Sequence, residues 1–295
     1  MRVGHSDGRT PAKHAYLLKV VGQDIGAAKY CAPKMWPRTS YRSHTLIDLT
    51  AGDGVPRHEG EWWQTCSPGI LAYHGQHKDC PVPVRISLQE RHEGTFNQLV
   101  ESLEKQLPEL GYMQVREQRW QAREGRVRLA AQRVDSRAMP CPWGRGDFVF
   151  LNNDPNNMHG WALPDALNQA VDRGAIIRSF STMGANAEGI KRLPLQGARD
   201  GWYGHVEDVT ASLRPTQDAT LIAIDRDASQ WAYLVVTPNK WVGNGIYEAE
   251  QVFAKNAMAV TSASFRMEPN RYSDLLDRLF LTSVERRLDV PLWSE

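Results

Sequence analysis

The feature that most constrains this chain is a repeated alternation of short apolar runs with amphipathic segments. The run HTLIDLT at 44–50 leads directly into AGDG, which is typical of a buried strand that ends at a glycine turn. The five runs that predict strands are 44–50, 82–90, 112–120, 146–156 and 175–184. Strands that alternate with helices predict an α/β fold, in which helices cover both faces of a parallel sheet.

The segment 93–107 is the strongest predicted helix. Apolar residues recur at helical spacing from Phe96 to Leu107, and Pro108 and Gly111 mark the end of the helix. The other predicted helices lie at 12–30, 67–78, 162–174, 200–213, 246–265 and 270–286.

The segment 219–239 reads as two apolar strands joined by a polar turn at 225–229, which predicts a β-hairpin. A parallel sheet that closes in a hairpin carries one antiparallel strand near its edge. The predicted fold is therefore a doubly wound sheet, mostly parallel, with a terminal antiparallel β-hairpin.

The net charge gives no overall attraction to a polyanion. The chain has 295 residues, with 35 Lys+Arg against 34 Asp+Glu. Residues 1–43 are nevertheless basic, with eight Lys/Arg against Asp7 and Asp24. We expect this part to be a helical extension through which nucleic acid is a possible partner. The predicted domains are the extension 1–43, a sheet domain 44–240 and a helical C-terminal segment 241–295.

Several protein classes are disfavoured by the sequence. No apolar stretch approaches the length of a membrane-spanning helix, and the N-terminus does not resemble a secretory signal. The four cysteines are scattered, which favours a reducing, cytoplasmic setting without membrane association. No phosphate-binding Gly-x4-Gly-Lys motif occurs, which disfavours a nucleoside triphosphatase.

The predicted strand ends carry the candidate site, because ligands of doubly wound sheets bind at the carboxyl ends of the strands. The first strand ends in DLTAGDG at 48–54, the second at Glu90, and the fourth in NNDPNN at 152–157. Glycines allow a ligand to approach the backbone closely. A carboxylate can accept hydrogen bonds from both hydroxyls of a ribose.

These residues, in this order, resemble class I S-adenosylmethionine-dependent methyltransferases, which have a Rossmann-like fold. The resemblance covers roughly 44–240 and rests on DLTAGDG, a strand ending in LQE, the segment FLNNDPN and the terminal hairpin. The layout is also similar to three-Cys-motif partner proteins and to enzymes that methylate amino groups of nucleic acids. It implies S-adenosylmethionine as cofactor and a nucleic-acid amino group as methyl acceptor.

The resemblance also implies roles for individual residues. Asp48 would face the amino group of the methionine moiety, Glu90 would hold the ribose hydroxyls, and Asp154 would lie beside the transferred methyl group. The implied cofactor-binding residues are Asp48, Thr50, Ala51, Gly52, Asp53, Gly54, Glu90 and Asn152. The implied catalytic residues are Asp154, Pro155, Asn153 and Asn156.

The sequence departs from that pattern at 154–157, which read Asp-Pro-Asn-Asn where amino-methylating enzymes place Asp-Pro-Pro-Tyr or a variant. The aromatic residue that would stack on a target base is absent there, and Trp161 is a candidate substitute. Two alternatives stay open: a catalytically inactive binding module with this fold, and a nicotinamide-dependent oxidoreductase.

Two further residue groups call for interpretation. Cys66, His74, His77 and Cys80 have a spacing suggestive of zinc, but paired cysteines are missing, and we predict no metal site. Tryptophans are numerous, and six of them fall in segments predicted to follow strands, where they would line a pocket rim. These six are Trp62, Trp63, Trp120, Trp143, Trp161 and Trp202.

Overall fold

The structure is a computed structural model. It describes residues 10–35, 42–77, 80–135, 142–154, 163–184, 212–226, 229–238 and 257–261. The chain divides into two compact units, of which the first comprises Met1–Asn153 and Ala166–Ser179 and the second comprises Asp154–Asp165 and Phe180–Glu295.

Unit 1 contains most of the predicted α/β pattern. Its helices are α1 (Thr10–Met35), α2 (Trp62–Thr65), α3 (Ser67–Gly75) and α4 (Glu93–Gln106), and α5 (Leu163–Asp172) begins in unit 2 and ends in unit 1. Its strands are β1 (Ser43–Asp48), β2 (Val84–Glu90), β3 (Met113–Arg116), β4 (Arg119–Ala122), β5 (Val127–Arg133), β6 (Asp147–Asn153) and the first part of β7 (Ile176–Gly184). No described helix is long and apolar enough to cross a membrane.

The strands of unit 1 are ordered β7-β6-β1-β2-β5-β4-β3. The pairs β6–β1, β1–β2 and β2–β5 are parallel, whereas β5–β4 and β4–β3 are antiparallel. This is the mostly parallel, Rossmann-like α/β sheet that the sequence predicts.

The predicted third strand, 112–120, is wrong. Residues 113–122 form an antiparallel hairpin that turns at Gln118, which has a φ of 57°. The third parallel strand is β5, in a segment that the sequence left unassigned. Its buried residues alternate with polar ones, because one face of β5 is exposed, and the expected continuous apolar run is absent.

The core of unit 1 lies between the sheet and helices α1, α3 and α4. The apolar residues of α1 that face it, among them Tyr16, Val20 and Val21, are fully buried. Helix α3 packs so closely on β2 that a Cβ atom at Gly75 would lie 2.5 Å from Ile86 Cδ1. Helix α4 ends as predicted, in a 3-10 turn that closes at Gly111 with a left-handed φ of 77°.

Unit 2 contains the predicted hairpin. Strands β8 (Gln217–Arg226) and β9 (Ser229–Pro238) pair antiparallel, and β10 (Ala257–Thr261) pairs antiparallel with β8. The predicted helix over 246–265 is therefore wrong at 257–261, since a short apolar run does not distinguish helix from strand. The predicted helix 270–286 lies outside the described residues, as does 200–211 of the helix predicted at 200–213.

Candidate functional site

The carboxyl ends of three adjacent strands meet where the sequence predicts the site. Asp48 ends β1 and lies opposite Leu88 of β2 and Asn152 of β6 in the register of the sheet. Its carboxylate is fully buried, and Oδ1 accepts hydrogen bonds from the Thr50 backbone N–H and from Asn152 Nδ2, both at 3.1 Å. These two hydrogen bonds hold the carboxyl group in a fixed orientation at the edge of the sheet.

The loop that follows Asp48 is attached to both neighbouring strands. The Leu49 N–H donates to the Asn152 carbonyl and the Ala51 N–H to the Gln89 carbonyl, each at 2.9 Å. Gly52 has a φ of +65°, and a Cβ atom there would find no atom of the described residues within 4 Å. The space over Gly52 is therefore open, and a ligand can approach this backbone closely.

Gly54 has a different position in the same loop. Its φ is +66°, but a Cβ atom there would lie 2.9 Å from Leu99 Cδ1 of α4. Its carbonyl accepts hydrogen bonds from Trp62 Nε1 at 2.8 Å and from Ser102 Oγ at 2.7 Å. Gly54 thus anchors the loop to α2 and α4, and the roles of Trp62 and Ser102 were not predicted. The available signal was the pair of consecutive tryptophans, Trp62 and Trp63, that follows the glycine loop in the sequence.

Asp53 is engaged in local contacts. Its Oδ1 accepts a hydrogen bond from the Val55 N–H at 3.1 Å, and its Oδ2 forms an ion pair with Arg57. Both carboxylate oxygens therefore contribute to the shape of the loop.

Glu90 ends β2, one strand away from Asp48. Its side chain is buried, and Oε1 accepts a hydrogen bond from the His92 N–H at 2.7 Å, immediately before α4 begins. Within the described residues, this is the one hydrogen bond that the carboxylate accepts. The carboxylate can therefore accept further hydrogen bonds, for example from ribose hydroxyls.

The end of β6 carries two asparagines with different surroundings. Asn152 contacts Asp48, whereas neither side-chain amide atom of Asn153 has a hydrogen-bond partner among the described residues, although Asn153 is 1% exposed. A buried amide without a partner costs about 1–3 kcal/mol, so a polar ligand or water is expected beside it. Asp154 follows and is half-buried, while Pro155 and Asn156 lie outside the described residues.

The tryptophans lie in several environments. Trp63 stacks on Tyr73 with ring centroids 4.0 Å apart. Trp120 is wrongly predicted as a rim residue, because it lies within β4 and is 2% exposed. Trp143 lines a groove on a face of the sheet, and Trp161 and Trp202 lie outside the described residues.

The cysteine–histidine set does not form a cluster. Cys66 Sγ contacts the Trp62 carbonyl and Cys80 Sγ the Val82 carbonyl, each at 3.5 Å. Burial raises the pKa of the Cys66 thiol to about 12, so this thiol is not a nucleophile at neutral pH. In the described part of the chain, no three His, Cys, Asp or Glu residues are placed to hold a metal ion.

Comparison with known proteins gives similarity to solved structures. No protein-family model matches the sequence, and no curated protein matches it significantly. The protein LPL1258 from Legionella pneumophila is 8% identical, with a TM-score of 0.48 over 88% of this chain and 97% of its own. Cofactor-bound Rv0187 from MTB is 12% identical, with a TM-score of 0.41 over 82% of this chain and 84% of its own.

A third similar structure is the O-methyltransferase TomG from Streptomyces achromogenes, solved in complex with SAM. It is 13% identical, with a TM-score of 0.38 over 77% of this chain and 79% of its own. At these identities the similarity concerns the fold.

Proposed function

We propose that the protein is an S-adenosylmethionine-dependent methyltransferase whose acceptor is an amino group of a nucleic acid. The observation that carries the proposal is the edge of the sheet at which Asp48, Glu90 and Asn152 lie at the carboxyl ends of three adjacent strands, beside the open backbone of Gly52. The residues fit the cofactor, because in the described part of the chain Gly52 leaves room for it and the buried amide of Asn153 lacks a partner.

Each residue has a chemical task in this proposal. Asp48 would attract the ammonium group of the methionine moiety, since its carboxylate is buried and oriented by Thr50 and Asn152. Glu90 would accept hydrogen bonds from the ribose hydroxyls. The cofactor supplies an electrophilic methyl group on its sulfonium, so the protein's contribution is mainly the positioning of a nucleophile.

The acceptor is proposed from the residues that follow β6. The Asp154 carboxylate would accept an N–H bond from an amino group and so orient the lone pair of its nitrogen. Lys13 and Lys19 of the basic N-terminal segment lie on α1, and Lys19 is exposed. This segment would attract a polyanionic acceptor.

Calorimetry with the purified full chain tests the cofactor assignment. We expect S-adenosylmethionine and S-adenosylhomocysteine to bind and NAD not to bind. Asp48→Asn should weaken binding of S-adenosylmethionine, while Asp165→Asn, an exposed site on α5, should leave it unchanged. A folded wild-type chain that binds neither sulfur compound would refute the proposal, and binding of NAD alone would favour an oxidoreductase.

A radiolabelled methyl-transfer assay across RNA, DNA, protein and small-molecule acceptors tests the second part. Asp154→Ala should keep cofactor affinity and lose methyl transfer. Equal transfer by this variant would refute the role of Asp154. Cofactor binding without transfer to any acceptor would favour the inactive binding module.

A further inference from the structure

A groove of about 710 Å³ lies on one face of the sheet in unit 1. It is lined by residues of β1 to β6 and of the segments beside β5 and β6, and none of these residues belongs to a helix. Strands β2, β3, β4 and β5 each contribute one arginine to it. These arginines, which we call the groove arginines, are Arg85, Arg116, Arg119 and Arg128.

The register of the sheet places the groove arginines close together. Arg85 of β2 lies directly beside Arg128 of β5, and Ala130 of β5 lies beside Arg119 of β4. Neighbouring strands are about 4.8 Å apart, so two like charges lie one strand apart on the same face. Such an arrangement is destabilising on its own, and a bound anion would relieve the repulsion.

Side chains of the described residues do not neutralise this charge. Within that part of the chain, none of the guanidinium groups of the groove arginines forms an ion pair or a hydrogen bond. Among the described lining residues, Asp147 is the one carboxylate, and it already accepts hydrogen bonds from Ser43 Oγ at 2.9 Å and from the Gly144 N–H at 3.0 Å. Asp147 Oδ2 also lies 3.8 Å from Arg42 Nη2, with which it forms an ion pair. The groove therefore carries an excess of positive charge.

The groove extends to the edge of the sheet that carries the candidate site. Gln89 and Gln132 are paired in register near the carboxyl ends of β2 and β5, and both line the groove. Ser87 Oγ donates to Gln132 Oε1 at 3.0 Å, which gives this part of the groove a polar floor. Gln89 directly precedes Glu90 on β2. Since consecutive strand residues point to opposite faces, a chain bound in the groove would reach the candidate cofactor site around the carboxyl ends of the strands.

We propose that this groove binds the phosphodiester backbone of a single-stranded nucleic acid. Guanidinium groups bind phosphate oxygens in bidentate fashion, and charges spread across four strands suit a linear polyanion. A single strand is favoured over a duplex, because duplex grooves are read by an element that protrudes into them, and this surface is concave. The inference rests on the proposed function only where the bound strand is taken to be the methyl acceptor.

Fluorescence anisotropy with labelled oligouridine and oligothymidine of about 20 nucleotides tests the proposal on the full chain. The groove variant Arg85→Gln/Arg128→Gln should weaken binding at least tenfold at low salt. Each phosphate contact contributes about 0.7 to the slope of log K against log salt for single strands, so the slope should become shallower by about 1.4. The two oligonucleotides distinguish an RNA ligand from a DNA ligand.

Two further variants separate the groove from general charge and from folding. Arg126→Gln/Lys105→Gln removes the same charge at exposed positions outside the groove and should change affinity less than twofold. Arg85→Lys/Arg128→Lys keeps the charge and should keep most of the salt slope. Equal losses in the groove variant and the outside variant would overturn the proposal, and so would a wild-type chain that binds neither oligonucleotide.

An acidic peptide is the competing ligand. Oligoglutamate that displaces the oligonucleotide at equal charge concentration would overturn the proposal in favour of a peptide-binding groove. Calorimetry with S-adenosylmethionine keeps the two proposals separate. A chain that binds oligonucleotide through the groove but does not bind the cofactor would refute the proposed methyl transfer and would support the groove proposal. A chain that binds the cofactor but loses no oligonucleotide affinity in the groove variant would refute the groove alone.

Discussion

His44 Nε2 of β1 lies 3.0 Å from Asp24 Oδ2 of α1, and both side chains are fully buried. The opposite oxygen, Asp24 Oδ1, lies 3.6 Å from Arg178 Nη1, and Arg178 also donates a hydrogen bond to Gln23 at 3.1 Å. The acidic residue of a basic helix thus faces inward and connects α1 to β1 and β7. Helix α1 lies in the basic N-terminal segment, and its inner side is nevertheless part of the core of unit 1.

Asp24→Asn should therefore destabilise the protein strongly. The substitution removes a buried charge opposite Arg178, and breaking a buried ion pair on one side costs about 3–5 kcal/mol. Urea unfolding measures the loss. Asp165→Asn, at an exposed position of α5, should change the free energy of unfolding by less than about 0.5 kcal/mol. A loss below about 1 kcal/mol for Asp24→Asn would contradict the structural role given to this network.

The two glycines of the loop after β1 should respond differently to alanine. Both have a left-handed φ, which costs about 1–2 kcal/mol for a residue with a Cβ. Gly54→Ala adds a clash with Leu99, so it should lower the free energy of unfolding more than Gly52→Ala. Gly52→Ala intrudes on the open space and should mainly weaken cofactor affinity. Urea unfolding and calorimetry measure the two effects, and equal responses in both assays would contradict the distinction.

Stability should fall in acid because of His74. Burial, with a smaller contribution from the charge of His77, lowers the pKa of His74 to about 4. The imidazole of the unfolded chain protonates near its ordinary value of about 6.5, so the unfolded state binds more protons between these two values. The stabilisation is complete above about pH 6.5 and is lost as pH falls towards 4. The shift corresponds to about 3 kcal/mol.

His74→Leu removes this titration and should lose less stability than the wild type between neutral pH and about pH 4. His77→Gln, at an exposed position, should retain nearly all of the wild-type dependence. Urea unfolding at several pH values measures both variants. Parallel pH profiles for His74→Leu and the wild type would exclude His74 as the source.

The sequence predicted β1, β2 and β6 as strands and missed β5, although buried and exposed residues alternate at the start of both β2 and β5. Strand β6 contains the apolar run Phe148–Leu151, whereas β1 is buried throughout although only Leu46 and Ile47 in it are apolar. Polar residues stand at the carboxyl ends of both strands, at Asp48 and at Asn152 and Asn153. The side chains of β5 point alternately into the core and into the basic groove. The polar residues on the groove side, such as Arg128, make this strand hard to recognise from the sequence. The glycine loop could be predicted because its pattern lies in consecutive residues. Its anchoring by Trp62 and Ser102 could not, because it depends on tertiary packing.

Glu90 provides the carboxylate that ends β2. Glu90→Gln keeps the size of the side chain but removes its charge, and hydrogen bonds to a charged group are about twice as strong as neutral ones. We expect affinity for S-adenosylmethionine to fall by roughly 5- to 30-fold, which corresponds to about 1–2 kcal/mol. Calorimetry measures this loss together with the binding enthalpy, which should become less favourable.

Glu93→Gln is the matched control for this test. Glu93 lies three residues after Glu90, is largely exposed and pairs with Arg133 at 2.8 Å. The substitution therefore removes the same charge near the same end of α4. Its variant should bind the cofactor within about twofold of the wild type, because a charge exposed to solvent is strongly screened. If the two variants lose affinity equally, the effect comes from the general field at the start of α4, and Glu90 is not the ribose ligand.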